Sequence, residues 1–555
     1  MQQATETMTG GKAIVAGLEA NGVEAVFGLP GAQLYPLFDA LHRHPTIRTV
    51  GARHEQACGH MAFGYARATG RPGVFAVVPG PGILNAGAAL CTAWGCSAPV
   101  LCITGQVPSQ FIGRGRGHLH ELPDQLATLR SLTKWSARIE RAADAPAIVD
   151  EAFRRMLSGR PGPVAIEMAW DTMAAQSEVA RLPRATLDAP PKLVAADIER
   201  AAALLREARR PMIMAGSGAQ HAAAEVRALA EALGAPVAAF RGGRGVLAEN
   251  HPLSLSSYAA YRLWPEVDVV VGIGTRLEMP TMRWTGMMQL VDAPQAPPQI
   301  VRIDIDPAEM ERLRVHAPIV ADAADGARAL LDAVRRGGRA APADAAPIER
   351  ARAEAAEATS KVQPQMSYLA AIREVLPRDG ILVEELSQVG FTSYFGYPVL
   401  EPRTYISPGF QGTLGFGFQA ALGVKVAHPD KPVVSMTGDG GFMFGVQELA
   451  TAVQYGIGVV ILLFNNDAYG NVRRDQQTGF GGREIGADLM NPDFMELAKA
   501  FGVEGHRVAS PQELRPVLAR AIAGTAPVLI EVVVERGSEV SPWEFIHPKP
   551  LQPVP

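Results

Sequence analysis

The length, composition and charge of the chain exclude several classes of protein. It has 555 residues, of which 48% are hydrophobic and 19% charged, and its formal net charge at pH 7 is −4. A chain of this length needs more than one hydrophobic core, so several domains are expected. The slightly acidic balance argues against nucleic acid as a partner. No run of about 18 apolar residues predicts a membrane span.

The cysteines and the first residues bear on the compartment. Cys58, Cys91, Cys96 and Cys102 lie among apolar and small residues, without histidine partners at zinc-ligand spacing. Buried reduced thiols are therefore expected, rather than disulfides or a metal site. Residues 1–12 are polar and lack the apolar segment of a signal peptide. A cytoplasmic protein is the expectation.

Residues 1–185 predict a doubly wound α/β domain. Short apolar runs separated by helical stretches are typical of buried parallel strands joined by crossover helices. These strands are expected at 25–27, 49–50, 74–78 and 100–104. Gly80-Pro81-Gly82 follows the third of them and precedes Asn85. It therefore falls at a strand's carboxyl end, where open α/β sheets bind ligands.

Two further α/β units are expected, over 190–340 and 366–545, which gives a fold of three doubly wound parallel-sheet domains. In the second unit, Gly216-Ser217-Gly218 lacks the third glycine of a dinucleotide-binding fingerprint, so a tight turn is favoured. Residues 341–365 predict a linker with one solvated helix. The proline-rich residues 546–555 predict an extended tail.

Polar clusters end two neighbouring strands of the third unit. The apolar run 433–436 stops at Gly438-Asp439-Gly440-Gly441, and the run 459–464 stops at Asn465-Asn466. Because parallel strands end at the same edge of a sheet, the clusters are expected to lie close together. Their oxygens suit Mg²⁺, and the glycines let a phosphate approach the backbone. A site for Mg²⁺ and a diphosphate is predicted, although an ordinary βαβ unit has similar turn residues.

The spacing of these clusters resembles the cofactor motif of thiamine diphosphate (ThDP) enzymes, and closely that of the acetolactate synthase-like family. ThDP acts after losing the proton on C2 of its thiazolium ring, which a carboxylic acid at its pyrimidine ring promotes. Arg53-His54-Glu55-Gln56 resembles the family segment that carries this acid, so Glu55 is the predicted activator. Otherwise Glu55 would be a first-turn residue favoured by the helix dipole.

Other segments resemble further parts of the family's cofactor site. Gly412-Thr413-Leu414-Gly415 is similar to the segment whose bulky side chain supports both cofactor rings, although a plain glycine-rich turn would look alike. By the same resemblance, Mg²⁺ would be bound by Asp439, Asn466 and the main-chain carbonyl of Ala468. The implied cofactor-binding residues are Gly31, Pro81, Asn85, Ser387, Gln388, Gly412, Leu414, Gly438, Asp439, Gly440, Gly441, Asn466, Tyr469 and Gly470.

The resemblance extends over nearly the whole chain. Residues 27–32, 104–108 and 491–494 are also similar to family segments. It implies that the three units are pyrimidine-binding, central and diphosphate-binding domains, in that order. In such enzymes the activating glutamate and the diphosphate site belong to different subunits, so a homodimer or homotetramer is implied, with active sites between subunits.

The substrate pocket is less well defined. The resemblance places Gln33 and Gln106 among the catalytic residues and Ala32 beside the substrate. In the loop after Gln106, Arg114 or Arg116 could hold a substrate carboxylate. His118 or His120 in the same loop could relay protons. A solvated glycine-rich loop explains these four residues equally well.

The central unit departs from acetolactate synthases. Residues 257–261 and 275–280 stand where their FAD-contacting segments are expected, and they do not match. FAD is therefore not expected, and binding of a nucleotide such as ADP is left open.

The sequence predicts an enzyme that uses ThDP and Mg²⁺ to make or break a carbon–carbon bond next to a carbonyl. Decarboxylation of a 2-oxo acid with carboligation is favoured, followed by a lyase that cleaves a carbon–carbon bond, and then by a simple decarboxylase. The substrate would be a 2-oxo acid, an aldehyde or an acyloin. The alternative of another class is a non-catalytic binding or regulatory paralogue. Such a paralogue would lack the activator or a metal ligand, whereas Glu55, Asp439 and Asn466 are all present.

Overall fold

The structure, a computed structural model, describes residues 5–285, 291, 298–338 and 344–550. Within this part of the chain, three six-stranded sheets are each parallel throughout. Successive residues of one strand face different cores: Phe27 belongs to one hydrophobic cluster and Val26 to another. The predicted class, three doubly wound α/β domains, is confirmed. Residues 551–555 of the predicted tail lie outside the described residues.

The first domain carries one of these sheets and a small antiparallel pair. Its strands are β1 (Thr5–Thr9), β2 (Ala25–Gly28), β3 (Arg48–Gly51), β4 (Gly73–Val77), β5 (Val100–Gln106), β6 (Trp135–Ile139), β7 (Val164–Ala169) and β8 (Gln176–Ala180). Its helices are α1 (Gly10–Ala20), α2 (Tyr35–His42), α3 (Glu55–Thr69), α4 (Pro81–Gly95), α5 (Gln125–Leu132), α6 (Ala145–Leu157) and α7 (Trp170–Ala174). The sheet order is β3-β2-β4-β5-β7-β6, and β1 pairs with β8.

The central domain has a parallel sheet with a different strand order. Its strands are β9 (Pro211–Ala215), β10 (Val237–Ala239), β11 (Ser254–Leu255), β12 (Val269–Ile273), β13 (Gln299–Asp304) and β14 (Ala317–Val320), in the order β11-β10-β9-β12-β13-β14. Its helices are α8 (Ala195–Glu207), α9 (Ala223–Leu233), α10 (Ser257–Leu263) and α11 (Ala323–Arg336).

The third domain has the strand order of the first domain. Its strands are β15 (Ile381–Glu384), β16 (Tyr405–Ile406), β17 (Val433–Gly438), β18 (Val460–Asn465), β19 (Glu504–Val508) and β20 (Val528–Val533), in the order β16-β15-β17-β18-β20-β19. Helices α12 (Ala346–Thr359) and α13 (Gln365–Val375) precede the sheet. The others are α14 (Gln388–Gly396), α15 (Phe416–Ala427), α16 (Asp439–Phe442), α17 (Glu448–Gln454), α18 (Gly470–Gly479), α19 (Phe494–Ala500), α20 (Pro511–Ala523) and α21 (Trp543–Ile546).

Each sheet contains a point at which its strand order reverses and a crevice can open. The reversal lies between β2 and β4, between β9 and β12, and between β15 and β17. In open α/β sheets, the crevice at the carboxyl ends of two such strands is where ligands bind. The topology therefore provides one crevice in each domain.

The segment 341–365, predicted as a linker with a solvated helix, differs from that expectation. Helix α12 buries Ile348, Ala351 and Ala355 in a core that also contains Ala260 of α10. An apolar residue every three or four positions gives a helix one buried face. Helix α12 is therefore packed onto the fold along one side.

The cysteines and the helix lengths can be compared with the sequence predictions. All four cysteines are free thiols, and Cys58 and Cys102 are buried. Among the described residues, no helix has both the length and the apolar character that spanning a membrane would require.

Helices α3 and α15 join the first and third domains. Almost every residue of α3 is buried, as expected for a helix with small or apolar residues on all sides. The backbones touch because Gly64 of α3 lies against the carbonyl of Ala420, and Gly423 of α15 lies against that of Met61. His60 and Gln419 form a side-chain hydrogen bond across the contact at 2.9 Å. The two domains consequently share one hydrophobic core.

Replacing Gly423 with alanine tests this backbone contact. A Cβ atom at residue 423 would overlap the Met61 carbonyl, so Gly423→Ala should lower the free energy of unfolding by about 1–3 kcal/mol, the usual cost of overpacking. Urea unfolding measures the change. The control is Gly524→Ala, where the nearest atom would lie 3.4 Å away, with an expected change of less than about 0.5 kcal/mol. Equal midpoints for Gly423→Ala and wild type would contradict the contact.

Candidate active site

The polar residues that end β17 and β18 come together at one edge of the third sheet. Asp439 is buried, and its carboxylate accepts hydrogen bonds from the main-chain N–H groups of Gly440 and Ala468. Burial raises the pKa of Asp439 above its ordinary value because water no longer solvates the charge. The structure thus places Asp439 beside the segment that contains Asn466 and Ala468.

The surroundings of Asn466 suit a role as metal ligand. Its amide nitrogen donates to Glu539 Oε2 at 2.7 Å, which leaves the amide oxygen available for a cation. Carboxylate, amide and carbonyl oxygens are the ligands that Mg²⁺ prefers. The residues present therefore fit the metal: Asp439, Asn466 and the Ala468 carbonyl would hold it.

Two neighbours of this edge were not predicted from the sequence. Asn491 Nδ2 donates to Asp439 Oδ2 at 2.8 Å and lies 3.1 Å from Asp467 Oδ1. Glu539, which orients Asn466, is itself buried enough for its pKa to rise to about 7. Residues 491–494 had been singled out as a family segment, but nothing in them indicated this contact, and no motif marks Glu539.

The predicted diphosphate residues line the crevice between β15 and β17. Ser387 is the N-cap of α14 and lies against Gly438, where an added Cβ would be 3.3 Å from the serine Cβ. The Tyr469 ring lies against Gly440, so a side chain at residue 440 would overlap it. Gln388, next to Ser387, is buried, and its Oε1 has no hydrogen-bond partner within the described structure. The crevice thus combines glycines, which carry no side chain, with an unpaired polar group, and this combination fits a diphosphate.

A buried carboxylate holds the segment with Gly412 and Leu414. Glu385 accepts hydrogen bonds from the N–H groups of Gly415 and Gly417, where α15 begins, and from the hydroxyl of Thr437. Burial raises the pKa of Glu385. Gly412 adopts a φ of +57°, in the left-handed region that glycine tolerates best. Glu385 therefore fixes where this segment ends, although no sequence signal marked it.

Glu55 lies at the first position of α3, where its carboxylate accepts from Asn85 Nδ2 at 3.0 Å. Asn85 lies in the first turns of α4, which begins at Pro81 after Gly80 with a φ of +60°. Both helices start at carboxyl ends of strands in the first sheet. The structure thus brings Glu55, Pro81 and Asn85 to one crevice.

Gln33 and His120 form a pair in the same domain. Gln33 is fully buried; its Oε1 lies 2.9 Å from His120 Nδ1, and its Nε2 donates to the Leu119 carbonyl at 2.9 Å. The main chain of His120 also lies against Gly80, and its φ of +64° is uncommon for a residue with a side chain. The 111–121 loop is therefore folded onto the crevice at His120.

The other predicted substrate residues differ in their placement. Gln106 is buried at the end of β5, and its Oε1 accepts from the N–H of Val107 at 2.7 Å. His118 is stacked on Phe111 with ring centres 5.2 Å apart. Arg114 and Arg116 are exposed, and the structure does not bring them to the buried residues. Gly31 packs against Val78, and Ala32 begins the short turn that carries Gln33.

The first and third domains meet close to these residues. Gln56 Nε2 donates to the Leu414 carbonyl at 3.3 Å, and the hydroxyls of Thr92 and Thr413 are 2.8 Å apart. The segment that carries Leu414 therefore rests on helices α3 and α4 of the same chain.

A cavity of about 450 Å³ lies elsewhere, at the crevice of the central domain. Gly216, which follows β9, and Gly274, which follows β12, line it together with Arg241. The Arg241 guanidinium lies 4.5 Å from the centre of the Phe410 ring, in the segment that leads to Gly412. Residues 275–279, where an FAD-contacting segment was expected and not found, also line the cavity.

Removal of the Glu385 carboxylate should destabilise the third domain. Glu385→Ala leaves the N–H groups of Gly415 and Gly417 without this acceptor, at about 1–3 kcal/mol for each unsatisfied group. The free energy of unfolding, measured in urea, should fall accordingly. Thr437→Val is the matched control: it removes one hydroxyl donor and should cost about 1 kcal/mol. If both variants lose the same stability, the main-chain bonds to Glu385 do not hold the segment.

Comparison with known protein families agrees with this architecture. The thiamine pyrophosphate enzyme N-terminal TPP binding domain matches residues 8–128. The central domain of the same enzymes matches residues 198–330, and their C-terminal TPP binding domain matches residues 387–532. Each matched range lies inside one of the three predicted domains, whose exact boundaries stay a prediction.

Relatives of similar length carry related names. The chain is 35% identical to a probable acetolactate synthase large subunit of Methanocaldococcus jannaschii, over 95% of this chain and 92% of the relative. It is 34% identical to a probable 2-ketoarginine decarboxylase of Pseudomonas aeruginosa, with 96% and 95% covered. It is 32% identical to the acetolactate synthase isozyme 1 large subunit of Escherichia coli, with the same coverage. The chain therefore belongs to the thiamine pyrophosphate-dependent enzymes and is similar to their acetolactate synthases, as its sequence motifs predicted.

Proposed function

We propose that the chain decarboxylates a 2-oxo acid and joins the remaining acyl unit to a second carbonyl compound. The observation that carries this proposal is the convergence of Asp439, Ser387 and the 466–470 segment on one crevice, with Glu55 and Asn85 on another. The names of the acetolactate synthase relatives support carboligation. Simple decarboxylation is the second candidate, because a relative of equal coverage is named a 2-ketoarginine decarboxylase.

The chain's own residues divide the work between binding and proton transfer. Asp439, Asn466 and the Ala468 carbonyl would hold Mg²⁺, while Ser387, Gln388 and the glycines at 438, 440 and 441 would admit the diphosphate. When bound, ThDP supplies the carbon nucleophile and the electron sink. Glu55, oriented by Asn85, holds a proton at the pyrimidine nitrogen. FAD is not part of the proposal.

The substrate lies against the first domain in this proposal. Gln33 and Gln106 are buried there, and the hydrogen bond from His120 fixes the Gln33 amide. A small 2-oxo acid would meet these side chains at the carboxyl ends of β2 and β5. The roles of Ala32, Arg114, Arg116 and His118 stay predictions. A cytoplasmic location is also proposed, supported by the four free thiols.

Glu55→Gln tests the catalytic proposal. The amide keeps the size of the side chain but no longer exchanges a proton, so kcat should fall by about 100-fold or more. The assay is CO₂ release, with products identified by NMR, from a panel of 2-oxo acids with ThDP and Mg²⁺. An acyloin product identifies carboligation, and an aldehyde alone identifies simple decarboxylation.

The matched control is Glu496→Gln, which changes an exposed first-turn glutamate of α19. Its turnover should equal that of the wild type. If Glu55→Gln also turns over at the wild-type rate, Glu55 is not the activator.

The chain is further proposed to work as a dimer, or as a tetramer built from such dimers. Leu84 and Trp94 on α4 are 57% and 53% exposed, and Phe444, beside the start of α15, is 49% exposed. Large exposed apolar side chains next to a site are typical of an interface. A second copy of the chain would cover them and close the crevice.

The double variant Leu84→Glu/Trp94→Glu should therefore separate the subunits. Two buried charges cannot be tolerated in an apolar interface, so the mass from sedimentation velocity should halve and turnover should be lost. Leu187→Glu, at an exposed residue outside the helices and strands, is the control and should keep both properties. A wild type that sediments as an active monomer would refute the shared site.

A further inference from the structure

Glu448 is a buried acid that the proposed chemistry does not use. It begins α17 in the third domain, and none of its surface is exposed. Its carboxylate oxygens lie 3.0 and 3.2 Å from the main-chain nitrogen of Arg53, in the first domain. The hydroxyl of Thr451 donates to it at 2.6 Å. A carboxylate buried at a domain boundary is costly unless such donors satisfy it.

The contact falls on the segment that leads to Glu55. Arg53 is followed by His54, the N-cap of α3, and then by Glu55. The N–H of Ala52 is bound to the Gly28 carbonyl within the first domain, whereas the N–H of Arg53 is bound to Glu448. The last main-chain N–H before the N-cap of α3, that of Arg53, thus donates to a residue of the third domain.

Two more contacts attach the far end of α17 to the same segment. The Arg53 guanidinium donates to Gln454 Oε1 at 3.1 Å, and that of Arg48 donates to the Tyr455 carbonyl at 3.1 Å. Residues at both ends of helix α17 therefore form hydrogen bonds with the segment 48–53. Helix α17 also follows Asp439 closely in the chain. The stretch 439–455 therefore carries both a proposed metal ligand and the contacts to residues 48–53.

We propose that Glu448 is a positioning residue: by accepting the Arg53 N–H across the domain boundary, it sets the direction in which Glu55 enters the active site. This inference rests on the proposed role of Glu55. A proton-transfer group must be placed to within about 0.5 Å. A displacement of about 1 Å can cost 100-fold in rate.

The charge state of Glu448 is consistent with this role. Burial raises its pKa to about 7, and the N–H groups of Arg53 and His54 and the Thr451 hydroxyl oppose that rise. The titratable or charged groups that face it are the Arg53 guanidinium and the Cys58 thiol. Whether Glu448 is protonated or ionised, it keeps an oxygen that can accept from the Arg53 N–H. The hydrogen bond to Arg53 therefore persists near neutral pH.

The first experiment uses the cofactor-free protein. Hydrogen exchange followed by mass spectrometry reports the protection of the peptide 48–58. In Glu448→Ala, exchange in this peptide should be at least about 10-fold faster, while Glu448→Gln, which keeps an acceptor oxygen, should restore most of the protection. Leu518→Ala creates a cavity in α20 and controls for lost stability alone. It should leave this peptide protected.

The second experiment measures proton transfer directly. The rate at which C2 of bound ThDP exchanges its proton for deuterium is read by NMR after acid quenching. Glu448→Ala should slow this exchange by about 10- to 100-fold, with ThDP affinity changed by less than about threefold. Glu448→Gln should recover most of the rate, and Leu518→Ala should match the wild type.

Glu55→Gln in the same assay separates the two hypotheses. If Glu55→Gln exchanges at the wild-type rate, the proposed role of Glu55 fails. If Glu55→Gln is slow and Glu448→Ala is not, or if Leu518→Ala slows exchange as much as Glu448→Ala, the positioning role alone is overturned.

Discussion

The backbone contact between α3 and α15 sets how the first and third domains are placed against each other. Two helices come this close only where glycine replaces a side chain, here at Gly64 and Gly423. Both helices begin at a ligand-binding crevice: α3 with Glu55, and α15 directly after Gly415. Their contact therefore fixes the position of one crevice relative to the other. The apolar residues around them form a single core that spans both domains.

Parallel α/β sheets carry three different crevices in this chain. In each sheet the strand order reverses between two neighbouring strands, which opens a crevice at their carboxyl ends. The crevice of the third domain contains glycines and oxygens that suit a metal ion, and that of the first contains an acid and amides. The central domain has a cavity there instead, lined by Arg241. Because Arg241 stacks on Phe410, the central domain supports the segment that ends at Leu414.

Much of the fold followed from local sequence patterns, and much of the site did not. Apolar runs such as 459–464 predict buried strands, because the strands of a parallel sheet are covered on both faces. Gly438-Asp439 and Asn465-Asn466 could be paired because both end neighbouring strands. The contact of Asn491 with Asp439 could not be predicted in this way. The two residues are 52 positions apart, and Asn491 lies in a loop, where no periodic pattern indicates a neighbour. Helix α12 was expected to be solvated because its alanines are ambiguous, being apolar enough to bury and small enough to expose.

The acids missed by sequence reasoning share one physical task. Glu385 accepts from the N–H groups of Gly415 and Gly417, and Glu448 accepts from that of Arg53. In both cases the donors lie where a helix of the α3–α15 pair begins, and helix starts leave main-chain N–H groups without partners. A carboxylate from another segment satisfies them and adds favourable charge to the helix dipole. Such an acid carries no motif of its own, because any segment that passes the helix start can supply it. The two helix starts nearest the site are thus held by side chains that only the folded chain brings into place.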